Sequence, residues 1–303
     1  DEVAGTMNQR LKTLLRGALG AYLEQLEHCY FEPARGYLPY GLEGVDEVAW
    51  PAMNGEMVKD ELRELTNGLN SWHSDLVRWD AWNTVLQAYA DDDSWDIRLE
   101  FVEPLAHASM LLPSSTRDQI VFVTTNAMHQ IRLAMGGGYR DYLEGDPTKV
   151  GANPQHLSRR RKEARLRGIV SCWPEGAALL AGVYALDDAA HKAVTADYRN
   201  RSNHGIAPRF EIGITRTVTR EVVPADDLVA QGNGTFRVVP SPDKRCVRYG
   251  YGGTQPLDLK ESFAANLEQY RSARSCFERY RALLLAGLRD MPKAGVRRKS
   301  EGT

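Results

Sequence analysis

No apolar run in the sequence approaches the roughly 18 residues that a membrane-spanning helix requires. The start lacks a basic stretch followed by an apolar one, so no secretory leader is expected. Cysteine is scarce: Cys29, Cys172, Cys246 and Cys276 are the only four, and no two form a Cys-x-x-Cys pair. A chain of 303 residues can bury a sizeable core and does not need such scattered thiols as staples, which points to reduced cysteines of a cytoplasmic protein and away from structural zinc. Net charge is also nearly absent. Lys and Arg total 38 and Asp and Glu 40, leaving −2, so the molecule as a whole does not attract a polyanion. His-Glu-x-x-His, Gly-x-Ser-x-Gly and a Walker loop are missing. Gly136-Gly137-Gly138 lacks the preceding strand and the spacing of a phosphate loop and reads as a helix stop. His28, His73, His107, His129, His156 and His191 are isolated and read as structural or exposed. Asp187-Asp188 ahead of His191 has no partner cluster, so neither a metal nor another cofactor is expected.

What is present is helical periodicity. Hydrophobic residues make up 43% and charged residues 26%, as in a globular chain. The first helix is expected from about Asn8 to Tyr30, followed by a Gly- and Pro-rich loop from Glu32 to Gly55. A second helix over Met57 to Tyr89 carries the stripe Leu62, Leu65, Leu69, Trp72, Leu76, Trp79, Trp82, Leu86 and Tyr89. Its tryptophans could stack on bases, but the continuity with leucine favours core packing. Helical pattern resumes from Asp96 to Met135, with an interruption expected at Leu112-Pro113-Ser114-Ser115 and a serine cap for a new helix near Arg117. Asp91-Asp92-Asp93 reads as an acidic turn. Leu157 to Asn203 reads as two helices meeting at Cys172-Trp173-Pro174. After Pro208 the period shortens. Glu211 to Val223, Phe236 to Val239 and Arg245 to Tyr249 predict a small antiparallel hairpin or three strands, and a last helix follows over Leu259 to Leu288.

The fold class is therefore mainly α, a helical bundle with a small antiparallel β insertion near 210–251, before the last helix. Residues 1–150 read as an N-terminal helical region and 151–303 as the bundle with its insertion. No clean linker separates them, so one continuous domain is the simplest architecture.

Charge is unevenly distributed. Arg159, Arg160, Arg161, Lys162, Arg165 and Arg167 form one basic run, and Arg297-Arg298-Lys299 a second. The first either holds a phosphate backbone, with Arg160, Arg161 and Arg165 as contacts, or is a solvated helix face.

The chemistry concentrates in Tyr198-Arg199-Asn200-Arg201-Ser202-Asn203-His204, at an expected helix end before Gly205. Asn200 and His204 are four apart and share a helix face. Arg199 lies about 140° round, but its long side chain can reach the same spot. An imidazole, an amide and a fixed cation suit RNA cleavage by the RNA's own 2′-hydroxyl. That reaction needs proton transfer near neutral pH and a counter-charge for the phosphorane. Arg201 is a further candidate for substrate binding. The plain alternative is an Arg and a His that cap a helix C-terminus, where cations are favoured.

Arg199, polar Asn200 and His204 resemble the Arg-x4–6-His motif of the HEPN superfamily, helical bundles that carry the motif at a helix end. Many members are ribonucleases of toxin–antitoxin, abortive-infection and CRISPR systems. The similarity covers about Leu157 to Leu288; the long N-terminal helical region and the β insertion go beyond a minimal bundle. The resemblance implies a metal-independent endoribonuclease with Arg199 and His204 as the catalytic pair and Asn200 as the polar position. It also implies RNA as partner, a composite site between the protomers of a homodimer, and a 2′,3′-cyclic phosphate product. An antitoxin or defence-system partner belongs to the same expectation. The alternative is a catalytically silent helical module for dimerisation or partner binding.

Overall fold

The computed structural model describes residues 2–28 and 36–294. Cys29, Tyr30, the start of the Gly- and Pro-rich loop and the tail cations Arg297, Arg298 and Lys299 lie outside them. The helices in chain order are α1 (Glu2–His28), α2 (Asn54–Val85), α3 (Asp91–Ile97), α4 (Glu103–Met135), α5 (Arg159–Val170), α6 (Glu175–Ala185), α7 (Ala189–Val194) and α8 (Tyr198–His204). Two antiparallel strands, β1 (Val218–Ala230) and β2 (Phe236–Tyr251), precede the last helix, α9 (Leu259–Arg289). The protein is thus mainly helical with a small two-stranded sheet before its final helix, as the periodicity predicts. No helix among the described residues is long and apolar enough to cross a membrane. The chain forms two compact units, Asp1–Val194 with Lys260–Thr303, and Thr195–Leu259; residue 150 falls inside the first.

In the first unit the apolar stripe of α2 makes the core. Leu62, Leu65, Leu69, Trp72, Leu76 and Trp79 are at most 1% exposed, so the tryptophans are packing residues and offer no face to a base. Trp82 is stacked between Tyr22 of α1 and Phe101, at centroid distances of 4.4 and 4.8 Å. Leu86 and Tyr89, at the end of the expected stripe, lie past the helix and are only half-buried.

The expected break at Pro113 does not occur, and α4 runs unbroken through it. A proline there removes the N–H that would bond the Ser109 carbonyl four residues back. The Asn266 side chain on α9 supplies the missing donor, Nδ2 to the Ser109 oxygen at 2.8 Å, while its Oδ1 accepts the Trp72 indole N–H at 2.7 Å. Neither serine caps a helix. Ser115 donates to the carbonyls of Leu111 and Leu112, and Ser114 accepts from Arg159. Asp91, Asp92 and Asp93 are likewise not a free turn but the first turn of α3, where the helix dipole favours carboxylates.

The segment from Leu157 breaks at Cys172-Trp173-Pro174 as expected, but twice more after it. At the first extra break Asp187 is left-handed, φ 49°, and tertiary partners take up the freed backbone groups. Its N–H donates to Gln269 Oε1 at 2.7 Å, and the Leu186 carbonyl accepts from Arg117 at 2.6 Å. Asp188 then caps α7, accepting the His191 N–H at 2.8 Å.

In the second unit β1 and β2 pair from Val218↔Tyr251 to Ala230↔Phe236, with one irregularity between Pro224 and Asp226. The stretches expected as separate strands at 236–239 and 245–249 belong to one strand. Val218, Val222 and Val247, with Tyr249 and Tyr251, project from one side of this ribbon and remain exposed.

Two outcomes follow. Asn266→Leu keeps the shape of the buried amide but strands the Trp72 N–H and the Ser109 carbonyl, at about 1–3 kcal/mol for each unsatisfied group. Denaturant titration should show a loss of at least about 2 kcal/mol. Glu61 gives a pH signature. Burial on α2 pushes its carboxyl up from 4.5 to about 7, against the hydrogen bond from Asn126; its Oε2 and the buried Tyr280 hydroxyl have no partner among the described residues. A raised carboxyl stabilises the fold fully below the unfolded value of 4.5 and loses that contribution as pH rises through about 7. Unfolding free energy should therefore fall across this window by at most about 3 kcal/mol. Glu61→Gln should flatten the slope; an unchanged slope would assign it to another group.

Candidate active site

The residues from Tyr198 to His204 form a short helix of their own, α8, rather than the end of a longer one. Two consecutive non-glycine residues with left-handed backbone, Ala196 at φ 49° and Asp197 at φ 51°, separate it from what precedes. Each such residue costs of order 1 kcal/mol or more, so the turn persists only because its surroundings hold it. They do so on both sides. The Asp197 carbonyl accepts the Arg201 N–H at 3.0 Å, and the Tyr198 ring packs on Phe210 at 5.4 Å. The chain leaving α8 and the chain returning from β2 then zip together. Leu257 donates to Arg209 and Glu211 to Leu257, both at 2.8 Å, and Thr215 and Thr254 form a two-way bridge. The helix stands at the foot of the hairpin.

The motif's side chains divide into two sets. Asn200 donates Nδ2 to Asp197 at 3.1 Å, so its amide is directed back along the chain and does not orient His204. Arg201 donates to the Thr254 hydroxyl and ties α8 to the returning strand. Arg199 is half-buried and His204, the last helical residue, is exposed; among the described residues neither makes a side-chain hydrogen bond or ion pair. The Arg201 carbonyl accepts the Gly205 N–H at 2.9 Å, the last main-chain bond of the helix, and among the described residues neither the Arg199 nor the His204 side chain bonds a carbonyl of the final turn.

The basic run occupies α5, in the first unit, and its charges are not equivalent. Arg159 points inward. Its guanidinium bonds both oxygens of Asp118 at 2.9 and 3.0 Å, Asp187 at 2.8 Å and the Ser114 hydroxyl at 2.6 Å. Burial would raise the Asp187 carboxyl, but hydrogen bonds from His191 and Arg159, with Lys192 nearby, hold it well below the usual carboxylate range. Arg161 is paired with Glu144, and Arg165 donates to the Glu144 carbonyl at 2.7 Å. Arg160 is exposed and has no such partner among the described residues. The run is therefore part scaffold, part neutralised surface and part open charge.

The isolation of the histidines in sequence does not hold for His129. It is 2% exposed on α4, with Nδ1 2.8 Å from the Tyr139 hydroxyl and Nε2 3.0 Å from Asp141 Oδ1. The partners are ten and twelve residues on, beyond the glycine stop. The only signal in the sequence is a Tyr and an Asp soon after a helix-ending glycine run, and nothing in that spacing says the chain doubles back.

The chain matches no protein-family model, no curated protein and no solved structure.

Arg159→Ala should leave the buried Asp187 carboxylate with only His191 and Lys192 near it, and breaking a buried pair costs up to about 3–5 kcal/mol. Arg160→Ala should change stability by less than about 0.5 kcal/mol. Urea unfolding of the two variants checks the division; equal losses would contradict it.

Proposed function

We propose that the protein is a metal-independent endoribonuclease of HEPN type, with Arg199 and His204 as its catalytic pair. The observation that carries this reading is that, among the described residues, both side chains stand without a hydrogen-bond or ion-pair partner on a helix that Tyr198 and Arg201 hold in place.

The chemistry follows from the side chains. His204, exposed to solvent, takes the 2′-hydroxyl proton or protonates the leaving 5′-oxygen near neutral pH. The Arg199 guanidinium presents a planar fork to two phosphate oxygens as negative charge builds on phosphorus. The nucleophile belongs to the RNA, so the products are a 2′,3′-cyclic phosphate and a 5′-hydroxyl. One Arg–His pair is a thin site, and a two-fold axis doubles it from identical surfaces. A homodimer is thus part of the proposal, with a role in toxin–antitoxin or phage-defence response and an antitoxin or defence-system partner. Arg160 is an open cation of α5 for an RNA backbone; Arg161, Arg165 and Arg201 would first have to leave their partners.

A catalytically silent dimerisation or partner-binding module is the second reading. The bond from Asn200 to Asp197 favours it, because it withdraws the polar position of the motif from His204.

Cleavage of a mixed-sequence RNA by the purified protein, with and without excess chelator and with end-group analysis, separates the two. Activity should persist in chelator. His204→Ala should lower the rate by about 10²–10⁴, and Arg199→Ala by about 10²–10³. Arg199→Lys should restore little, since an ammonium has no fork. Activity that survives His204→Ala, or that requires a divalent ion, would sink the mechanism. A folded but inactive wild-type dimer would favour the silent module.

A further inference from the structure

The C-terminal end of α4 borders a cavity of about 320 Å³, lined by Arg132, the Gly136–Gly138 turn, Tyr139, Cys172 and Trp173 among others. That volume falls at the lower end of small-molecule sites. Its lining contains one cation and no carboxylate.

The backbone of this wall is unusual. Gly136, Gly137 and Gly138 have φ of 79°, 67° and 76°, a left-handed run that only glycine adopts without strain. The Gly136 N–H is used by the Leu133 carbonyl at 3.1 Å. Among the described residues those of Gly137 and Gly138 have no acceptor, and a Cβ placed on either would meet nothing within 4 Å. Gly137 and Gly138 are exposed, so two unengaged amides lie at an open backbone edge, accessible to a ligand as to water.

Behind the wall, the buried His129 clasp fixes the geometry. Nε2 faces the Asp141 carboxylate and Nδ1 the Tyr139 hydroxyl, so the imidazole bridges the two side chains. The Tyr139 ring so held carries the Arg132 guanidinium 4.2 Å above its centroid. Arg132 has only a 3.5 Å bond to the Gly168 carbonyl among the described residues, so most of its donors remain unspent. A guanidinium placed over an aromatic ring with most of its donors unspent, in a lining that holds two unengaged glycine amides and no carboxylate, suits an oxyanion.

We propose that this cavity binds a small organic molecule through a phosphate or carboxylate group, held by Arg132 and the amides of Gly137 and Gly138. The site belongs wholly to the first unit and stands whether or not the protein cleaves RNA.

Cys172 lines the cavity and is exposed, so its alkylation reports occupancy, with the exposed Cys246 on β2 as an internal control. The full chain is treated with iodoacetamide at constant ionic strength, in the presence of glycerol 2-phosphate, benzoate or glycerol, and each cysteine is followed by peptide mass spectrometry. The expected result is that one or both anions slow modification of Cys172 at millimolar concentration or below, while glycerol does not and Cys246 is unaffected. Which anion protects identifies the group recognised. Arg132→Gln should raise the protecting concentration at least tenfold, and Arg132→Lys should fall between; circular dichroism checks that both remain folded. Should Arg132→Gln unfold, the comparison of anions with glycerol on the wild-type chain decides alone. Absence of protection by either anion, equal protection of Cys246, or undiminished protection in folded Arg132→Gln would overturn the proposal.

Discussion

One buried amide, Asn266, ties together the three longest described helices. Its oxygen accepts from Trp72 on α2 and its nitrogen donates to the Ser109 carbonyl on α4, the group left bare by Pro113. Without that donor a proline in the middle of α4 would strand a carbonyl in the core, and the helix would be expected to kink or stop there. With it, α4 stays continuous for 33 residues. Much of the first unit then depends on that continuity. The middle of α4 presents Ser114 and Asp118 to Arg159, its last turns present His129 and Arg132, and its end delivers the glycine turn.

The charges follow the same logic of local partners over linear density. Six cations in nine residues suggest an electropositive face, but the helix turns several of them to partners of their own. Arg159 meets two aspartates and a hydroxyl, and its removal would take from the buried Asp187 its shortest ion pair. Arg161 meets Glu144, and Arg165 meets a backbone carbonyl. Field strength at a surface is set by what remains after such pairing.

In α8 the pattern is reversed. The helix is short, entered through two strained residues and held at the base of a hairpin, which is a costly way to display seven residues. Its buried Tyr198 and tethered Arg201 provide the anchorage, and Arg199 and His204 are left unengaged. Strain of this kind persists only where surrounding structure over-determines it, here through Tyr198, Arg201 and the segments that flank the hairpin's foot.

The sequence by itself determined the helical class, the β insertion before the last helix, the α2 core stripe, the stop at Gly136 and the position of the Arg–Asn–His motif. Those features depend on periodicity and on glycine's access to positive φ, both of which are local. Tertiary structure decided what local rules cannot reach. Pro113 is tolerated because of a residue more than 150 positions away. The helix after Pro174 breaks at Asp187 because Gln269 and Arg117 satisfy its backbone. Asn200, on the same helix face as His204, instead bonds Asp197, and His129 acquires two partners only because the chain folds back after the glycines. In each case a donor or acceptor distant in the chain settles the local conformation, because a buried polar group must find a partner wherever the fold provides one.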